Sequence, residues 1–284
     1  MSKESLETYA LAHGLKPMGV RAPLFAYLRE AWQRRDFAWT FAVLNQEAEN
    51  SRTRLGAWWG LLVPLLQSLI YGLIFGVILG STRAPNFIPF LVVGVFLFTF
   101  ISGAFQTGAS SITGNTGLLK SISFPRITLP LSATLRQLLA LMPTLLILFA
   151  VVLVFDRAVK WEIFYLPAIV ALMFGFGFGV ALITARLTVQ IRDLTKLLPF
   201  LTRILFYVSG VFYTPAHLGI NDSIFGFLVS INPIFSLLSL ARGALVTGYS
   251  VNASDWINAT IWTAAVLVIG IIYFWRAEER YGDD

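Results

Sequence analysis

Cysteine is absent from the 284 residues. A disulfide framework and a thiolate metal site are therefore both excluded. Histidine is nearly absent as well: His13 and His217 stand far apart, so neither a zinc centre nor a Ser/His/Asp site is expected. Charge is scarce too. Only 13% of residues carry it, against about 25% in a soluble domain. What is present instead is apolar: 57% of the chain is hydrophobic and mean hydropathy is +0.74. Such a surface cannot face water everywhere, and the chain reads as an all-α integral membrane protein with several spans. The net charge of +6 does not point to nucleic acid. The basic residues are scattered at the edges of apolar runs, where they report topology.

Six runs are expected to cross a bilayer, each near the roughly 20 residues that a span needs. They cover 57–80, 87–109, 134–155, 163–185, 197–213 and 256–275. The fifth is only just long enough. A seventh apolar segment, 224–246, is broken near its middle by Asn232-Pro233. Proline removes a helical hydrogen bond, and each half is too short to cross. A re-entrant helical hairpin on the outer side is expected there, covered by protein or water. With six crossings both ends are cytoplasmic. Arg83, Arg157, Lys160 and Arg242 then lie outside and the other 17 of the 21 basic residues inside, a strong positive-inside bias.

The chain thus divides into a cytoplasmic N-terminal region, 1–56, a six-span domain, 57–275, and a cytoplasmic tail, 276–284. No cleavable signal is expected, because the first apolar run begins too deep in the chain. Within the first region, Phe25, Leu28 and Trp32 recur at helical spacing, as do Phe37, Phe41 and Leu44, with Arg29, Arg34, Arg35 and Asp36 between them. An amphipathic helix over 24–45, lying in the cytoplasmic interface against membrane lipid, is the expectation.

Several residues are candidates for function. Aromatics make up 14% of the chain. Trp58, Trp59, Tyr71 and Phe75 lie on the first span; Phe206, Tyr207, Phe212 and Tyr213 lie on the fifth. They fit lipid anchoring and a path for sugars, whose C–H faces stack on rings, equally well. Arg136 and Arg203 stand near the cytoplasmic ends of spans, where snorkelling and contact with an anionic phosphate are both open. Asp193, in the short loop before the fifth span, is a solvated carboxylate or a partner contact. Gly72, Gly76 and Gly80, and Gly175, Gly177 and Gly179, allow close helix packing. Gly114 lies six residues before Lys120-Ser121. That echoes a phosphate-binding loop, but position 119 is Leu where the loop needs Gly, and no strand precedes it. The chain is therefore not expected to hydrolyse ATP by itself, and no carboxylate pair is placed for catalysis in any span.

One polar turn interrupts the apolar runs: GLLKSISFPRITLP, residues 117–130, with Lys120, Phe124, Pro125 and Arg126. RTRLGAWWGLLVP, residues 52–64, resembles the start of the first span in permeases of polysaccharide-exporting ABC transporters, through Leu55, Gly56, Trp59 and Pro64. SFPRITLP resembles that family's cytoplasmic loop between spans two and three. YTPAHL with NPIFSLLSLARGALV resembles its outer hairpin. The basic-aromatic lead of the family is replaced here by ENSRTR. The resemblance implies a homodimer in the cytoplasmic membrane with two copies of a separate ATPase subunit, which binds ATP and Mg. It implies no cofactor in this chain. It further implies export of a lipid-linked polysaccharide such as O-antigen, teichoic acid or a cell-wall galactan. In that setting the polar turn resembles a coupling helix seated in the ATPase. A permease for drugs or small lipids, and a membrane enzyme acting on lipid-linked sugars, are the alternatives.

Overall fold

In a computed structural model the chain is described over residues 23–78, 80, 86–122, 124–156, 160–219 and 223–278, and these residues are helical with connecting turns. Expectations that fall on the termini, on Arg83 or on Arg157 lie outside them. Two helices come first, α1 (Leu24–Gln33) and α2 (Arg35–Ser51). They are the expected 24–45 helix, interrupted at Arg34 (φ −98°, ψ 20°). The face turned inward carries Tyr27, Ala31, Ala38 and Ala42, while Phe25 and Trp32 stand exposed. The inner face is thus one tyrosine and three alanines rather than the large apolar residues, because small side chains let the helices lie close to the bundle.

Among the described residues, five helices are long and apolar enough to cross a membrane. They are α3 (Trp59–Ile78, led by a 3₁₀ turn at Gly56–Trp58), α4 (Phe87–Thr113), α6 (Thr128–Asp156), α7 (Leu166–Gln190, led by a 3₁₀ turn at Trp161–Tyr165) and α11 (Ala253–Trp275). The short α5 (Thr116–Ser121) sits between α4 and α6. The expected span over 197–213 is a 15-residue helix, α8 (Leu194–Val208). At 1.5 Å per residue it rises only about 22 Å. It stops at Ser209-Gly210, where Gly210 takes φ +64°, and residues 209–219 turn instead of continuing. The broken segment is α9 (Ile224–Ile231) and α10 (Pro233–Leu245), bent by 74° at Asn232. The Asn232 carboxamide oxygen caps α10 by accepting from the Ile234 N–H at 2.9 Å, and its nitrogen donates to Ser209 Oγ at 3.0 Å. From α11, Asn258 donates to the carbonyls of Ser230 and Ile231. The break thus has its backbone groups satisfied, as burial in protein requires.

α4 is the axle of the bundle. It packs against α3, α6, α7, α8 and α10. Of its most apolar stretch 78% is buried, against 11% for α3. Glycines set the tightest contacts. A Cβ on Gly108 would meet Ala181 at 2.4 Å, and one on Gly270 would meet the Gly179 carbonyl oxygen at 2.5 Å. α7 is therefore held against α4 and α11 almost backbone to backbone. Around Gly72 and Gly76 on α3 the fit is looser, with the nearest atoms 3.5 Å and 3.9 Å from such a Cβ.

The bundle has two ends. At one, here the turn end, lie α1, α2, α5 and the last residues of α7 and α11. At the other, the hairpin end, Asp156 accepts from Asn86 Nδ2 (2.8 Å) and the Thr247 N–H (2.6 Å), and Lys160 donates to the carbonyls of Gly243 and Tyr249. Arg242 is 1% exposed. It donates to three carbonyl oxygens, those of Phe90 (3.2 Å), Gly210 (2.9 Å) and Val211 (2.5 Å), and its guanidinium carbon stands 3.5 Å from the Phe90 ring centre. Arg242 therefore serves as an internal tie rather than as a surface charge that sets orientation.

Candidate functional site

Two regions gather the residues singled out in the sequence. The first is an aromatic cluster in the hairpin-end half. Tyr71 and Phe75 of α3 meet Phe206 of α8 and Phe212 just beyond it. Ring centres lie 5.0 Å apart for Tyr71–Phe206 and 4.0 Å for Phe75–Phe212, the latter stacked. Phe98 of α4 closes on Phe206 edge-on at 5.1 Å. Six of the eight aromatics singled out in the sequence thus come together, with Phe98 added. They are not equivalent. Phe206 and Tyr213 are 8% exposed and belong to the packing, whereas Tyr207 is 42% exposed. Trp58 and Trp59 are exposed at the turn end. Trp59 stands about 18 Å along α3 from Tyr71, by its twelve-residue spacing, so both tryptophans lie apart from the cluster.

The two arginines part company as well. Arg136 Nη1 donates to Glu49 Oε2 at 2.6 Å, which ties α6 to α2. Arg203 is exposed on α8 beside Phe200 and Ile204. Among the described residues it makes no ion pair. One helical turn further along α8 stands Tyr207, also exposed. One cation and one phenol therefore stand exposed beside the Tyr71–Phe206 contact.

The second region is the polar turn. Lys120 is exposed on α5, and Ile122, just past its end, is 51% exposed. Asp193 is exposed at the start of α8. Phe124, Pro125 and Arg126 instead fold inward. The Phe124 ring lies 5.1 Å from Phe37 of α2, and Pro125 is buried. The Arg126 N–H donates to Glu278 Oε1 at 3.0 Å, and its guanidinium donates to the Glu278 carbonyl. Burial pushes the Glu278 carboxyl above its ordinary pKa, while hydrogen bonds from Arg126 and Tyr27 pull it back. Glu278 could not be found from sequence, since 152 residues separate it from Arg126. The Gly114–Ser121 stretch, which echoes a phosphate loop, lies between two helices. Its backbone N–H groups serve the turns: that of Gly114 donates to the Ser110 carbonyl and that of Leu119 to Asn115.

Residues 41–246 match the family described as ABC-2 type transporter. The chain belongs to that family. An O-antigen export system permease protein, RfbA, of Klebsiella pneumoniae is 26% identical over 235 residues, which cover 81% of this chain and 87% of the relative. A second, from Myxococcus xanthus, is 26% identical over 212 residues, 75% and 81% of the two chains. ABC-2 permeases are transport membrane subunits that do not carry their own ATPase. The chain is accordingly a multi-pass membrane permease, and the matched residues contain both the aromatic cluster and the polar turn.

Proposed function

We propose that this chain is the permease subunit of an ABC exporter that moves a lipid-linked polysaccharide across the cytoplasmic membrane, with ATP hydrolysed on a separate subunit. One observation carries the reading: Arg203 and Tyr207 stand exposed one helical turn apart on α8, beside the Tyr71–Phe206 contact, on the side of the protomer where α3 is mostly unburied. α3 is mostly unburied, and α8 beside it exposes Leu197, Phe200 and Ile204. Arg203 is ten residues into α8, about 13 Å above its first residue. A cation at that depth faces a bundle interior or a water-filled space rather than lipid. A second copy of the chain set against α3 and α8 supplies such a space.

A sugar polymer must cross wet, because each buried unpaired hydroxyl costs a few kcal/mol. Aromatic rings offer stacking faces for the sugars while water serves the hydroxyls. Arg203 suits the phosphate that links polymer to lipid. The curated relatives named for O-antigen export support this substrate class over drugs or small lipids.

The same reading puts the termini and turn end in the cytoplasm, six crossings in the membrane with the short α8 and the turn after it as the fifth, α1 and α2 at the inner interface, and α9 with α10 as an outer re-entrant hairpin. Two ATPase subunits would then meet the turn ends of two permeases. α5 and Ile122 form the projecting face, so they dock, and Phe124 to Arg126 hold the turn from behind. Ile122→Asp and Lys120→Glu are expected to weaken co-purification of the ATPase about tenfold, the loss of roughly 1.4 kcal/mol of contact, without lowering permease abundance. Normal co-purification of both variants would move docking away from α5. The purified chain is expected to hydrolyse no ATP until its partner is added. Turnover by the isolated, contaminant-free subunit would refute the division of labour.

A further inference from the structure

At the turn end a hydrogen-bonded junction joins three parts of the chain that are far apart in sequence. Tyr27 of α1 donates its hydroxyl hydrogen to Glu278 Oε2 at 2.7 Å and accepts the Ile127 N–H at 3.0 Å. Glu278 Oε1 accepts the neighbouring Arg126 N–H. These two N–H groups belong to the turn at Arg126 and Ile127 that leads into α6, just before its first residue, Thr128. A carboxylate there also meets the positive end of the helix dipole. The junction thus fastens the turn that leads into α6 to two other segments. It sits in an apolar shell that includes Ile112, Leu129 and Phe274 and is distinct from the main core.

The covalent path from α5 leads only to α4 and α6. The last span has no direct chain connection to the turn, and at this end Glu278, three residues past α11, is a hydrogen-bonded link between them. We propose that Glu278 is a positioning residue for transport: it makes α11 and α1 follow the polar turn when the turn is displaced, so that ATP hydrolysis is spent on moving the spans together. This rests on the assignment of α5 as the segment that receives force from the ATPase. Glu278 touches neither substrate nor nucleotide and acts through Arg126 and Tyr27.

The test uses the full permease co-expressed with its native ATPase in cells that make the polymer. Three quantities are measured: ATPase co-purified per permease, ATP hydrolysed by the complex, and surface carbohydrate per permease. Glu278→Ala and Tyr27→Phe are expected to leave co-purification and ATP hydrolysis within twofold of the unaltered complex. Surface carbohydrate is expected to fall about tenfold, the effect of losing one well-made buried hydrogen bond. Glu278→Gln should restore most of it, since its amide oxygen accepts from Arg126 and its nitrogen can donate to Tyr27. Tyr27→Phe keeps the ring and its packing, so it serves as the test if Glu278→Ala does not accumulate. Export that falls only in step with co-purification or abundance would reduce Glu278 to a structural residue and overturn the proposal. So would unchanged export in both Tyr27→Phe and Glu278→Ala. If instead the unaltered chain recruits no ATPase, or α5 variants alter nothing, the docking assignment fails and the proposal with it. Failure confined to the Glu278 and Tyr27 variants, with α5 variants still defective, rejects the junction alone.

Discussion

Arg242→Met is expected to destabilise the protein by about 3 kcal/mol, the cost of leaving buried acceptors without donors. The carbonyls of Gly210 and Val211 lie outside any helix and take their hydrogen bonds from this guanidinium. Methionine fills similar space but offers neither carbonyl a hydrogen. The lost stacking on Phe90 adds to the cost. Some is returned, because a buried cation no longer has to be desolvated. In detergent the apparent melting temperature should fall by roughly 5–10 °C, and the abundance of folded permease should fall with it. Gly94→Ala attacks the same tie from the other side, since its methyl would stand 2.5 Å from Arg242 Nη2 and 2.7 Å from the Val211 carbonyl. Melting within about 1 °C of the unaltered protein for both variants would show that the hairpin is held elsewhere.

The largest functional effect is expected at Arg203. Arg203→Gln should lower surface polymer per permease roughly 10–100-fold, corresponding to one charge-assisted hydrogen bond to phosphate of about 1.5–3 kcal/mol. Abundance should hold, because the side chain is exposed and, among the described residues, supports no neighbour through an ion pair. Arg203→Lys keeps the charge without the planar fork and should fall between. Tyr207→Ala should show a smaller loss, up to about tenfold for one aromatic contact. Trp262→Ala, on the 38%-exposed tryptophan of α11, should change export little. Phe206→Ala tests something else. Its ring packs against Tyr71, Phe98, Tyr207 and Phe212, so lost abundance is expected there, at about 3–5 kcal/mol. Equal export by Arg203→Gln and the unaltered chain would return this arginine to headgroup anchoring.

Much of the fold was legible because it is local. Apolar length placed α3, α4, α6, α7 and α11 within a few residues of their ends. Asn232-Pro233 marked a real break because proline cannot donate and asparagine can cap the helix that begins after it. The span over 197–213 was overdrawn, since apolar content alone does not reveal that Gly210 turns left-handed. The sites were legible only in part. Aromatic content singled out Tyr71, Phe75, Phe206, Tyr207 and Tyr213, which lie together in the structure, but could not say that Phe206 and Tyr213 are packing. It also could not detach Trp58 and Trp59, whose distance from the others is an axial matter. Residue type likewise made Phe124 and Arg126 look like docking groups. Their partners, Phe37 and Glu278, lie 87 and 152 positions away, and such pairings are properties of the assembled bundle rather than of any window of sequence.

The contact between Gly179 and Gly270 has a mechanical consequence. Two helices whose backbones touch cannot slide by a turn without driving a side chain into a peptide group, so α7 and α11 form a beam that resists shear along its length. α3 meets α4 through looser contacts and has no such interlock. Compliance in the protomer is therefore uneven: stiff along the beam and soft at the rim where α3 rides. A load applied at the turn end would be carried through the beam with little internal give, and the displacement would emerge at the rim.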